Sequence, residues 1–183
     1  MRIAIVGAGS MGSVYAGLLG AAGNEVWAVD TSEAHLAAIR TGGLRVEGAS
    51  GDRVVRIHAT SDPTQIGAVE LVVIATKAMD VRAAATSARC LVGPETLVLA
   101  IQNGLGSGEA AAEILGDACV AIGVAGGFGA SLVSPGHVHH HGFELVRLGE
   151  RQSAVTPRIE RVAEVWREAG FTVRTYDDVD MLV

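Results

Sequence analysis

Residues 3–20 read IAIVGAGSMGSVYAGLLG. Three glycines, Gly7, Gly9 and Gly12, follow an apolar run directly. Glycine loses more backbone entropy on folding than any other residue, so such a cluster belongs where something must come close to the main chain. Arg2 to Val6 has the β-rich, apolar make-up of a buried parallel strand. Behind the turn, Met11, Val14, Tyr15, Leu18, Leu19 and Ala22 recur at helical spacing until Gly23 and Asn24 stop the helix. Residues 25–30, EVWAVD, read as a second strand that ends on Asp30, 18 residues beyond Gly12.

A lone G-x-G-x-x-G is a weak signal, but here strand, turn, helix, second strand and terminal acid are all in place. Gly7 permits the tight turn, Gly9 lets a pyrophosphate approach the backbone, and Gly12 lets the helix pack close to the strand. Ala8, Ser10 and Met11 complete the loop, whose free N–H groups and helix dipole favour phosphate. Asp30 can accept hydrogen bonds from the adenosine ribose. A 2′-phosphate beside that carboxylate would be repelled by about 4 kcal/mol at an effective dielectric of 20, screened by water to ~1–2 kcal/mol. The residues after Asp30 are Thr31 and Ser32, with no Arg to offset the charge, so the local chemistry leans to NAD.

Outward from this unit the alternation continues. Ser32 to Arg40 reads as a helix with Ser32 as N-cap. Gly42 to Thr60 breaks the pattern: LRVE and RVVRIH flank GASGD, which predicts an inserted β-hairpin. Val69 to Lys77 is a strand, Asp80 to Cys90 a helix, Glu95 to Gly104 a strand, Gly108 to Leu115 a helix, and Ala118 to Ala125 a strand before the small-residue turn GGFGA at 126–130. His137 to Glu150 predicts two strands antiparallel to the rest. Thr156 caps and Pro157 opens a last helix, with Ile159, Val162 and Trp166 on its apolar stripe. FTVRTY is a final strand. The fold class is therefore α/β: a doubly wound, mostly parallel, Rossmann-like sheet with an inserted hairpin and added antiparallel strands.

Composition narrows the function. Of 183 residues, 49% are hydrophobic, enough for a sizeable core, but only 4% are aromatic, so that core rests on Val, Ile, Leu and Ala. The net charge of −6 argues against nucleic acid as a partner. The apolar runs are too short to cross a bilayer, and the start lacks a signal-peptide layout. Cys90 and Cys119 lack metal-ligand spacing and read as reduced packing residues, which places the chain in the cytoplasm.

Two further stretches sit where a doubly wound sheet opens its ligand crevice. Lys77 follows one strand in ATKAMD, where it can meet cofactor oxygens. Asn103 follows the next in IQNGLG, where it can bond a ribose hydroxyl or a substrate carbonyl. His137, His139 and His141 would share one face of a strand, as zinc ligands do. With no Cys or carboxylate nearby in sequence, a solvated strand face is the better reading, and no metal is expected.

With GAGSMG, then TK, then QNG at these spacings, the chain resembles the ketopantoate reductase (2-dehydropantoate 2-reductase) family over nearly its whole length. The hairpin insertion, GGFGA and the LGE after the histidines belong to the likeness. The resemblance implies NAD(P)H-dependent reduction of ketopantoate to pantoate, a 2-keto acid converted on the way to coenzyme A. It implies that Gly7, Ala8, Gly9, Ser10, Met11 and Gly12 carry the pyrophosphate. Lys77 then lies on the cofactor, Asn103 lies near both the nicotinamide ribose and the substrate, and Gly129 offers a backbone contact. NADP-using members tend to carry Arg where Thr31 stands, so the family leans to NADP while Asp30 leans to NAD. The resemblance further implies a C-terminal helical domain with a catalytic Lys and an assisting Glu, and a homodimer when that domain is present. On this reading residues 1–175 are the dinucleotide-binding domain and 176–183 begin a linker. The catalytic pair lies beyond the chain, and the chain alone is the cofactor half of an enzyme. Two alternatives stay open: another 2-hydroxy-acid or opine-type dehydrogenase, and a non-catalytic dinucleotide-sensing module.

Overall fold

A computed structural model describes residues 1–127, 129–142, 145–151 and 155–178. In chain order the first half runs β1 (Arg2–Val6), α1 (Ser10–Ala21), β2 (Glu25–Val29), α2 (Glu33–Gly42), β3 (Leu44–Gly48), β4 (Arg53–Val55), β5 (His58–Thr60), β6 (Val69–Ile74) and α3 (Val81–Ser87). The second half runs β7 (Val92–Ala100), α4 (Ser107–Leu115), β8 (Val120–Gly126), β9 (Gly129–Ser134), β10 (His137–Gly142), β11 (Leu145–Glu150), α5 (Pro157–Glu168) and β12 (Val173–Tyr176).

Eight strands form the main sheet in the order β12-β11-β8-β7-β6-β1-β2-β5. Their pairings are parallel except for β8 with β11. The chain winds outward from β1 in one direction through β2 and β5, and in the other through β6, β7 and β8. The reversal falls between β1 and β6, and ligand crevices open there, beyond the carboxyl ends of the strands. Side chains alternate across β1. Ile3 and Ile5 join a core with α1, α2 and α5, while Ala4 and Val6 join a second core with α3 and α4.

A second sheet, β4-β3-β10-β9, covers the outer side of α1. This explains why α1 is apolar nearly all round: residues 12–19 are buried, one side against the main sheet and the other against the second. The sandwich needs small residues. A Cβ on Gly17 would stand 2.4 Å from Val46 Cγ2.

Several expectations are corrected. The hairpin exists as β3 and β4, with Leu44 opposite Val55, but it builds the second sheet. Residues 58–60 leave it and extend the main sheet beside β2, where the His58 ring stacks on Trp27 at 4.3 Å. Of the two strands expected to run antiparallel to the rest, β11 does so against β8. The other, β10, leaves the main sheet: it is antiparallel to β9 but parallel to β3 in the second sheet, with buried Val138 opposite Val46. Of the small-residue turn expected at 126–130, Gly126 ends β8, Gly127 turns at φ +69° and Gly129 already begins β9, while Phe128 lies outside the described residues. Pairing with β10 overrides the poor strand propensity of Gly129, Ala130 and Ser131. The helix expected to reach Cys90 is α3, which tightens into a 3₁₀ turn over Ala88–Leu91. Ser32 stands at the N-cap of α2 without a side-chain capping bond. Thr156 does cap α5, accepting the Ile159 N–H at 3.3 Å. Of the linker read at 176–183, residues 179–183 lie outside the described residues.

Candidate dinucleotide site

The turn after β1 is drawn over the sheet edge by its own backbone. The Gly7 N–H donates to the Val29 carbonyl at 2.8 Å, and the Ala75 N–H donates to the Val6 carbonyl at 2.8 Å. Gly7 has φ +95°, and a Cβ there would meet the Thr76 backbone nitrogen at 2.7 Å. At Gly12 a Cβ would lie 2.0 Å from the Gly7 carbonyl oxygen. Gly9 is different: it is exposed, and a Cβ there would meet nothing within 4 Å. Gly7 and Gly12 are therefore required by the fold, while the space in front of Gly9 is left for something else.

That space is a cleft of about 730 Å³, within the range of ligand sites. Its lining includes Gly7, Gly9, Ser10, Met11, Asp30, Lys77 and Asn103. Ala8 and Gly12 are buried under the loop. Gly129 lies on β9, and its neighbour Ala130, on the alternate side of the strand, lines the cleft. Tyr15, Thr31, Thr76, Asp80 and Gln102 also line it, and sequence reading did not single them out for the site. Tyr15 occurred only as an apolar position of a helix. Burial pushes its phenol above its ordinary pKa, and its ring packs 5.1 Å from Trp166.

Gln102 stands in IQNG beside Asn103, and its amide spans two strand ends. Nε2 donates to the Ile74 carbonyl at 2.6 Å and to the Thr76 carbonyl at 3.2 Å. Its Oε1 is buried and, like Thr76 Oγ1, has no hydrogen-bond partner among the described residues. A buried, unpaired polar atom costs on the order of 1–3 kcal/mol, and both belong to residues that line the cleft. The floor of the site can thus take a polar ligand, and the open N-terminus of α1 can take an anion. The first turn of α1 carries no acidic side chain. These residues fit a dinucleotide.

The charged residues of the cleft are Asp30, Asp80 and Lys77. Asp30 accepts the Ser32 N–H on Oδ1 at 2.9 Å, which fixes the carboxylate at the end of β2. An adjoining hollow of about 400 Å³ is lined by Asp30 and Asp80 together with neutral groups such as Thr31, Ser61 and Thr76, and by no basic residue. Lys77, the chain's single lysine against 13 arginines, is exposed at the rim and forms no ion pair with a described residue. The stretch from Asn103 to Gly106 is fully exposed, with Leu105 84% accessible.

The histidine strand lies apart from the cleft. Glu47, 90 and more residues away in sequence, stands between His137 (3.1 Å) and His139 (3.4 Å). Those histidine contacts help hold its carboxyl below the ordinary value against the opposing effect of burial. No group of three or more His, Cys, Asp or Glu side chains is placed to hold a metal ion among the described residues.

Comparison with known proteins adds to this geometry. A family profile described as "Ketopantoate reductase PanE/ApbA" matches residues 3–153. A 2-dehydropantoate 2-reductase of Halobacterium salinarum is 33% identical over 172 residues, which is 93% of this chain and 56% of that protein. Among solved structures, a 2-dehydropantoate 2-reductase from Geobacter metallireducens superposes with a TM-score of 0.92 at 36% identity, over 100% of this chain and 60% of that one. A D-mandelate dehydrogenase solved with NADH and anilino(oxo)acetate superposes with a TM-score of 0.90 at 26% identity, over 100% of this chain and 59% of that one. The chain therefore spans a little over half the length of these relatives.

Proposed function

The chain belongs to the ketopantoate reductase family, and on that premise we propose that it binds NADH and supplies the dinucleotide-binding part of a 2-keto-acid reductase, with 2-dehydropantoate as the substrate. The observation that carries this reading is the space at Gly9, left open beside a helix N-terminus that has no side-chain cap. When bound, a reduced nicotinamide supplies a hydride to the keto carbon. The chain's own residues bind and orient. Gly7 to Gly12 present backbone N–H groups to the pyrophosphate, Asp30 holds the ribose hydroxyls, and Lys77 neutralises cofactor charge at the rim. Gln102 and Asn103 face the nicotinamide end, where Asn103 can donate to a substrate carbonyl. The catalytic lysine and glutamate that the family resemblance implies are assigned to none of these residues. Residues 1–175 act as the binding unit, and the two free thiols suit a reducing cytoplasm.

NADH over NADPH follows from the acidic hollow. A 2′-phosphate there would face Asp30 and Asp80 without a cation, and ~1–2 kcal/mol of screened repulsion corresponds to roughly ten-fold in affinity. A second reading, a 2-hydroxy-acid dehydrogenase of mandelate type, is favoured by the structural neighbour solved with NADH. The test is NADH oxidation measured in parallel with 2-dehydropantoate and with the keto acid of mandelate. Turnover of the first supports the primary reading and turnover of the second the alternative. NADH binding without either fits both a binding part whose residues do not include the catalytic pair and a dinucleotide sensor, and absence of NADH binding would overturn both enzyme readings.

A further inference from the structure

His35 is a histidine in α2 that is only 2% exposed, and it lines no part of the cleft. It accepts the Gly136 N–H on Nδ1 at 3.0 Å. With Nδ1 accepting, the neutral ring carries its proton on Nε2, which faces Ser13 Oγ at 3.1 Å. Ser13 is fully buried, and its hydroxyl donates to the Ala8 carbonyl at 2.8 Å. Every link has one donor and one acceptor, so the chain runs in one direction: Gly136 to His35 to Ser13 to Ala8. Gly136 is itself clamped. It turns at φ +75°, its carbonyl accepts the Arg45 N–H at 2.8 Å, and a Cβ there would meet Ala38 Cβ at 2.9 Å.

Ala8 lies between the two glycines of the loop. In a planar trans peptide the carbonyl and the following N–H point in opposite directions. An Ala8 carbonyl held inward by Ser13 therefore turns the Gly9 N–H outward, into the cleft. A Ser at this point of a helix often bonds only to the preceding turn. Here the hydroxyl oxygen also accepts from His35 of a second helix, which is tied in turn to the second sheet.

We propose that Ser13 and His35 are positioning residues, forming a buried relay from the β9–β10 turn that sets the Ala8–Gly9 peptide to receive the cofactor's pyrophosphate. Burial holds the His35 imidazole below the ordinary histidine range, which keeps Nδ1 free to accept. The proposal rests on the reading of the cleft as a dinucleotide site, and its test separates the two.

The test is the affinity of the protein for NADH and for adenosine, which lacks the pyrophosphate, read by tryptophan fluorescence and by saturation-transfer NMR together with thermal melting. Ser13→Ala, His35→Gln, His35→Leu and the Ser13→Ala/His35→Leu double variant are compared with the parent. Ser13→Ala is expected to weaken NADH roughly three- to ten-fold, the size of one hydrogen bond, while adenosine changes by less than about two-fold. His35→Leu should behave alike, and the double variant should be no weaker than the worse single one, because one chain is broken once. His35→Gln, which can still donate to Ser13, should recover part of the loss. If His35→Leu does not fold, Ser13→Ala and His35→Gln decide. Unchanged NADH affinity in Ser13→Ala, or equal weakening of NADH and adenosine, would overturn the relay. A parent protein that binds no NADH would instead overturn the cofactor reading beneath it.

Discussion

Two loops close on the same cleft, and they are built in opposite ways. The Gly7–Gly12 loop is held from below by the Val29 carbonyl, from behind by Ser13, and internally by the contact of Gly12 with Gly7. The Asn103–Gly106 loop is exposed throughout. Gly104 and Gly106 have φ near +90°, and a Cβ on either would meet nothing within 4 Å. The first loop is rigid before any ligand arrives, so little ordering is left to oppose binding there. The second is held mainly at its ends, by strand β7 and helix α4. On the proposed function, recognition of the dinucleotide is built into the fold, while the end assigned to the nicotinamide and substrate is left open to further contacts.

The contrast should break most severely at Gly12. Gly12→Val forces a Cβ into the Gly7 carbonyl, and overpacking of this kind costs about 1–3 kcal/mol or more. Thermal melting should show a drop of several degrees, and titration should show NADH affinity reduced by about a hundred-fold. A smaller effect is expected at the rim. Lys77→Ala should weaken NADH roughly three- to ten-fold, the discounted value of an exposed charge-assisted contact. Because Lys77 is the single lysine, acylation followed by mass spectrometry offers a direct check: NADH should slow its modification, and an unprotected Lys77 would remove it from the site. In the open loop, Gly104→Ala should cost about 1–2 kcal/mol from left-handed strain and leave NADH affinity within about two-fold. A large loss of binding there would mean that both loops are equally committed to the cofactor.

The smallest effect is a pH dependence. Burial lowers the pKa of His35, with the Asp30 carboxylate partly opposing it. The folded protein then binds fewer protons than the unfolded chain. Stability is full above the ordinary value near 6.5 and declines as pH falls below it towards the folded value. His140 is shifted in the same direction by burial. Melting temperature should fall between pH 7.5 and 5.5, and His35→Leu should flatten part of that slope.

The same division governs what could be read from the sequence. The main sheet and the glycine loop were legible because local pattern and tertiary role agree: Ile3 to Val6 are apolar throughout, and each glycine sits where a strand meets a helix. The second sheet was not. In HVHHHG the buried positions are Val138 and His140, and no local pattern records which sheet the strand joins. Gly129 and Ala130 read as a turn because their strand character comes only from pairing with β10. At the site, Asp30, Lys77 and Asn103 stand out as polar residues at strand ends. Gln102 had the same signal and was eclipsed by Asn103 next to it. Ser13 and His35 could not be found this way, since they are 22 residues apart and their link to Gly136 spans 101.

The central claim is that the space in front of Gly9 is kept for a dinucleotide, and Gly9→Val tests it most directly. Parent and variant are titrated with NADH and with NADPH by tryptophan fluorescence and compared by thermal melting. The account predicts that the parent binds NADH about ten-fold more tightly than NADPH. It also predicts that the variant melts within a degree or two of the parent, because its Cβ meets no protein atom, and that it loses most of its affinity for both. A variant that binds NADH as the parent does, or a parent that binds neither dinucleotide, would contradict it.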